Sequence, residues 1–206
     1  MSYRRLLIVF FAAVSSLLLS ACDLVNASTR PAGQFDRVTD ALSAYEKGTG
    51  YTYDYEFIRN FGSLPKRSCE ISEFADWERT DSGDGESTAF SRKLEIFGCE
   101  TEVSVGIRNE NQKIIAVYMV FHDNGETGPL QITEGLWNAL SDKAGTTYEA
   151  YLDGEKVKAK DIASLLGQKE ESHSYRGIWP RNSIKWSVML DYSFTNGEEQ
   201  LTVCFL

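Results

Sequence analysis

The chain has 206 residues, 42% hydrophobic and 25% charged, with 30 acidic against 21 basic side chains and a net charge of -9. Such an apolar content argues against a disordered chain, and the length allows one domain with at most an appendage. The negative charge argues against a nucleic-acid partner, whose phosphates would be repelled, and four cysteines without a C-x-x-C pair argue against a disulfide-dense scaffold.

The first segment differs from the rest. Arg4 and Arg5 precede an apolar run from Leu6 to Leu19, too short for the roughly 20 residues of a permanent membrane helix. The run ends in Leu19-Ser20-Ala21-Cys22, with polar Asp23 next. A narrow peptidase pocket requires small residues before its cut, but an ordinary export signal has no need of the cysteine. Leu19-Ser20-Ala21-Cys22 resembles the lipobox of bacterial lipoproteins. The resemblance covers residues 1–22 alone and implies diacylglyceryl (palmitate-type) modification of Cys22 after cleavage behind Ala21. Acyl chains contribute about 0.8 kcal/mol per buried methylene, so the chain would be anchored to a bilayer without spanning it. Asp23 resembles the signal that retains enterobacterial lipoproteins in the inner membrane, which places the protein on its periplasmic face; the outer membrane is the alternative. Removal of residues 1–21 leaves 19 basic against 30 acidic side chains, a net charge of -11.

Residues 22–33, with Pro31 and Gly33, read as a lipidated tether, and 34–206 as a single globular domain. Phe35, Val38, Leu42 and Tyr45 recur at helical spacing. Tyr51–Phe57 alternates like a strand, yet Phe57, Ile58 and Phe61 fit a helix equally. Val103, Val105 and Ile107 alternate before a polar turn, and Ile114–Phe121 is apolar on both faces, as in a central strand. A tight turn at Glu110-Asn111 would set Ile107 opposite Ile114, Val105 opposite Ala116 and Val103 opposite Tyr118. A helix is expected over Thr133–Lys143, a hairpin at Asp153-Gly154 and a short helix over Asp161–Leu166. Ile184, Trp186, Val188, Leu190, Tyr192 and Phe194 then alternate up to Asn196-Gly197, a strong hairpin signal that pairs Tyr192 with Leu201, Leu190 with Val203 and Val188 with Phe205. The fold class is α+β: an antiparallel sheet ending in a C-terminal β-hairpin, with two or three packed helices.

With Cys22 acylated, three cysteines remain in an oxidising compartment. A Cys69–Cys99 bridge would restrain the acid- and glycine-rich stretch Thr80–Ser87, and the register places Cys204 opposite Met189 as a buried, inert thiol.

Little in the sequence carries chemistry. His122 and His173 lack the spacing and partners of metal ligands, so neither a metal nor a cofactor is expected. Asp81–Glu86 has the composition of a calcium loop but not its spacing. Acid pairs such as Glu70/Glu73 and Glu198/Glu199 arise readily among 30 acids. Two binding features stand out. Residues 67–102 hold ten acids against four bases, whereas 155–185 hold seven bases against four acids, a polarity suited to steering a charged partner. Gln168–Ser183 reads as a long loop whose Tyr175, Arg176, Trp179 and Arg181 are candidate interface anchors, with Trp179 equally suited to the core.

The expected function is therefore a membrane-anchored envelope lipoprotein whose domain binds a partner and is non-enzymatic. An inhibitor or immunity-type protein for a basic envelope enzyme is one alternative. A hydrolase built on a carboxylate or on Cys204 is the other.

Overall fold

The computed structural model describes residues 35–46, 52–123, 128–145, 148–158, 173–180 and 186–206, all within one compact unit, Ala32–Leu206. Cys22, the tether to Gln34, the Asp161–Leu166 segment and Arg181 lie outside the described residues.

The helical stripe before Gly48 forms α1 (Val38–Glu46), which buries Val38, Ala41, Leu42 and Tyr45. The ambiguous aromatic stretch resolves as α2 (Tyr55–Gly62). Asp54 decides it: its carboxylate accepts the Glu56 and Phe57 amides at 2.8 and 3.4 Å, an N-cap worth about 1 kcal/mol. A 3-10 turn, Ile71–Phe74, precedes β1 (Glu78–Asp81), β2 (Ser87–Ile96), β3 (Cys99–Arg108) and β4 (Lys113–His122). Next come α3 (Pro129–Ala144), β5 (Glu149–Leu152), β6 (Glu155–Val157), β7 (Ser174–Trp179), β8 (Val188–Thr195) and β9 (Glu198–Phe205).

The nine described strands form one antiparallel sheet in the order β1-β2-β3-β4-β9-β8-β7-β5-β6. The first four make a meander, and the hairpin β8–β9 inserts beside β4. One sheet face carries the main core: Phe90, Val103, Val105, Val117, Met119, Phe121, Leu190, Val203 and Phe205 are all buried there. α1 packs against β2, and α3 against β7, β8 and β9. On the opposite face Ser104, Tyr118, Cys204 and Met189 form one cross-strand row, also buried. β4 is thus covered on both faces, as its apolar pattern requires.

The terminal hairpin has the expected register, with Tyr192 opposite Leu201, Leu190 opposite Val203 and Val188 opposite Phe205. Asn196 and Gly197 both hold positive φ, 56° and 83°, which matches the twist of a two-residue hairpin. The β3–β4 register needs correction. Ile107 does face Ile114, but a bulge between Gly106 and Ile107 adds one residue to β4. Val105 therefore faces Val117 and Val103 faces Met119.

The Gln168–Ser183 loop is also corrected, since residues 174–179 are strand β7. Tyr175, Gly177 and Trp179 point into the core, and Arg176 and Ile178 to the other side.

Candidate functional site

The four strands of the meander carry the acid-rich segment to one end of the sheet. Each of its four bases is bound to an acid. Arg67 pairs with Asp36 at 3.0 Å, Arg79 with Asp81 at 2.9 Å, Arg92 with Asp76 at 3.1 Å and Lys93 with Glu100 at 2.7 Å. Asp84, Glu86, Glu95 and Glu102 have no ion pair among the described residues. On the face away from the helices Glu95 stands directly opposite Glu100, and Glu102 opposite Lys93. Like charges facing each other across strands destabilise a sheet. Lys93 relieves part of this: its hydrogen bond and charge hold Glu100 below the usual carboxylate range, and Glu100 in turn raises the ammonium of Lys93. Three carboxylates share one ammonium, so this patch carries a net negative charge.

On the helix-bearing face of the same end, α1, the segment Glu73–Trp77 and β2 line an open cleft of about 190 Å³. Leu42, Trp77 and Leu94 supply apolar wall, and Glu46, Glu73, Asp76 and Arg92 supply charge. Helical spacing brings Thr39, Leu42, Ser43 and Glu46 to a single stripe of α1. The stacked rings of Phe74 and Phe90, 5.1 Å between centroids, fix the 3-10 turn on β2 and hence place Glu73 and Trp77. Glu73 has only 7% of its side chain exposed. Its Oε1 accepts the Glu70 amide at 3.4 Å, and Arg37 Nε lies 3.2 Å from Oε2 without the alignment of a hydrogen bond.

Of the candidate anchors, Tyr175, Arg176 and Trp179 are among the described residues. Trp179 is fully buried, stacked on Tyr148 and edge-on to Trp137. Tyr175 is buried against Tyr192. Arg176 is bound to Asp191, donating through Nε at 3.0 Å and Nη2 at 2.6 Å. This set belongs to the core and to a cross-strand ion pair.

Cys69 and Cys99 are likewise kept apart. The Cys69 amide donates to Gln112 O at 3.0 Å, at the β3–β4 turn, whereas Cys99 begins β3 at its other end. Ten strand residues span about 30 Å, and a disulfide requires Cα atoms within roughly 7 Å. Both are buried thiols, as is Cys204. Burial pushes Cys69 and Cys99 up to about 11, aided by Glu73 at the first and by Asp123, Glu199 and Glu95 at the second. Burial pushes Cys204 up to about 12. At neutral pH all three are protonated, the unreactive form of a thiol.

The remaining titratable candidates have structural settings. Glu70 caps the N-terminus of the 3-10 turn and Glu73 lies within it. Glu198 is exposed, whereas Glu199 is 3% exposed and accepts the Leu130 amide at 3.2 Å, at the N-terminus of α3. Successive strand residues face opposite ways, so these two carboxylates share no site. Asp153 bonds His173 Nδ1 at 2.9 Å and accepts the Ser174 amide at 2.8 Å. His122 lies between Glu100 and Gln200 at the end of β4. In the Asp81–Glu86 loop, Asp84 accepts Ser82 Oγ and the Glu86 amide, and Asp81 accepts Thr88 Oγ1, so these oxygens serve the hairpin itself. Among the described residues no group of three or more His, Cys, Asp or Glu is placed to hold a metal ion.

The cleft was missed in the sequence because three distant segments build it and none carries a motif. The composition of residues 67–102 was the one available signal. Comparison of the chain with protein-family models, curated proteins and solved structures gave no match.

Proposed function

We propose that this chain is a lipid-anchored envelope protein, held at the periplasmic face of the inner membrane by acylated Cys22, whose α+β domain binds a basic protein partner. The anchoring half rests on Leu19-Ser20-Ala21-Cys22. The binding half rests on one observation: Glu95, Glu100 and Glu102 lie on adjacent strands of one face with Lys93 as the cation among them. Evolution of a stable sheet alone would place opposite charges there, and a cationic surface docked on this face would remove the repulsion. An inhibitor or immunity-type protein for a basic envelope enzyme has this form.

Two measurements test the reading. Cys22→Ala should move the protein from the membrane to the soluble fraction; unchanged retention would defeat the anchor. Envelope capture with the wild-type chain should recover a basic protein at low salt, with much less recovered by a Glu95→Gln/Glu102→Gln chain. Equal recovery by both chains would defeat the acidic-face reading.

A further inference from the structure

The two edges of the sheet are built differently. β1 is the first strand in the sheet order, and no described strand pairs with its outer side. Its four residues, Glu78–Asp81, are all exposed, so no helix overhangs the edge. The Ser82 amide donates to Ser87 O at 2.9 Å, which closes the β1–β2 hairpin. Ladder alternation then directs the backbone groups of Thr80 and Glu78 to β2 and those of Arg79 and Asp81 outward. β1 has neither a proline nor a register shift, two of the usual devices against edge pairing. β6, at the opposite edge, has three residues with Lys156 at the centre. Self-pairing about that residue would set two ammoniums face to face, which guards the edge.

We infer that two copies of this chain join through their β1 edges as an antiparallel pair, with Thr80 facing Thr80 at the two-fold axis. Outward backbone groups can be matched by facing Arg79 with Arg79, Asp81 with Asp81, or Arg79 of each copy with Asp81 of the other. Only the last sets opposite charges together, and each such pair exchanges both of its N–H···O bonds. Within one copy Arg79 Nη2 already lies 2.9 Å from Asp81 Oδ1. The join therefore completes a ring in which guanidiniums and carboxylates alternate, a self-complementary patch of the kind a two-fold contact requires. Each copy's net charge of -9 opposes approach, and the ring offsets it at the contact. The contact is small, so it forms where copies are crowded. The inference is independent of the acidic-face reading.

In the test, cells producing the full chain are oxidised with copper phenanthroline and dimers are read on non-reducing gels. Thr80→Cys should give a disulfide-linked dimer, because facing residues of that pair have Cα atoms about 4.5 Å apart, within disulfide range. Glu78→Cys, on the same side of the strand, should give little, since its counterpart lies about 13 Å further along. The wild-type chain, with Cys69, Cys99 and Cys204 buried, sets the background. Adding Arg79→Asp to Thr80→Cys sets like charges opposite each other and should cut the dimer by about tenfold. Adding Asp81→Arg as well exchanges the two charges and should restore it. No dimer with Thr80→Cys, equal linking by Glu78→Cys, or a yield indifferent to Arg79→Asp would each overturn the inference. A Thr80→Cys link to a different protein in place of the dimer would also overturn it, giving the edge to a partner strand.

Discussion

Gly177→Ala is the most direct probe of the core that replaced the expected loop. Gly177 sits in β7 between Leu190 and Ala150 on the neighbouring strands. A Cβ there would stand 2.4 Å from Cη2 and Cζ3 of Trp179 and 2.7 Å from Cη2 of Trp137. Neither ring is at liberty to swing. Trp137 donates from Nε1 to Tyr148 Oη at 3.1 Å, and Trp179 is stacked on Tyr148 with centroids 4.6 Å apart. Alanine would gain about 0.5–1 kcal/mol over glycine in a strand through backbone entropy. Against that stands overpacking of about 1–3 kcal/mol, because rigid rings or the strand itself must shift. The clash involves three ring atoms at once, so it should win, with a net loss of about 1–2 kcal/mol. For a domain of this size that lowers the melting temperature by roughly 2–8 °C, read by circular dichroism in the near ultraviolet. Gly83→Ala, where nothing lies within 4 Å, is the control and should change little. Trp137→Phe should recover part of the loss when combined with Gly177→Ala. A Gly177→Ala protein that melts with the wild type would refute the close packing of these rings.

The other predictions concern charge and thiols. Glu199→Gln should cost about 1 kcal/mol in urea unfolding, because the carboxylate at the Leu130 amide faces the positive end of α3; no change would remove that role. Asp153 is held below the usual carboxylate range, first by the Ser174 amide and then by His173, and Glu149 likewise, first by Lys156 and then by Tyr151. Folded values below the unfolded ones mean that their stabilisation is present above the ordinary carboxylate range and is lost as pH falls through it. The urea midpoint should therefore drop between about pH 5 and pH 3, less steeply in Asp153→Asn, and an identical slope would count against the pair. Thiol titration of a Cys22→Ala chain should find slow reaction in the native state and three thiols after denaturation. A denatured count of one would restore a disulfide.

Local chemistry made some of this fold legible and left other parts dark. The terminal hairpin could be read in full register because Asn196-Gly197 specifies its own turn and the flanking strands alternate without interruption. The β3–β4 pairing slipped because Ile114–Phe121 is apolar on both faces, so its pattern cannot reveal one inserted residue. β7 was hidden by Gly177, an apparent break in the strand pattern that exists to admit two tryptophan rings. The turn at Phe97 was illegible for a related reason. Phe97 and Gly98 hold positive φ, 56° and 76°, because the two-residue turn between Ile96 and Cys99 requires it. Phenylalanine is an unusual residue for that position, and contacts with Tyr45, Tyr53, Phe57 and Phe121 hold it there. For the candidate site, composition indicated the acidic end, but no periodicity relates Glu46, Glu73 and Arg92 before the chain folds.

The position of β9 has a consequence for how the molecule comes into being. It follows the other described strands in chain order, yet it lies fifth across the sheet, hydrogen-bonded to β4 on one side and β8 on the other. Until it is in place, the chain is two half-sheets, each with an open edge. β4 would expose the unpaired row opposite Leu201, Val203 and Phe205, an edge prone to wrong partners. Closure therefore waits on the long-range pairing of β4 with β9, the slow kind. A chain handled by export machinery or chaperones before that moment would meet them with its sheet still divisible.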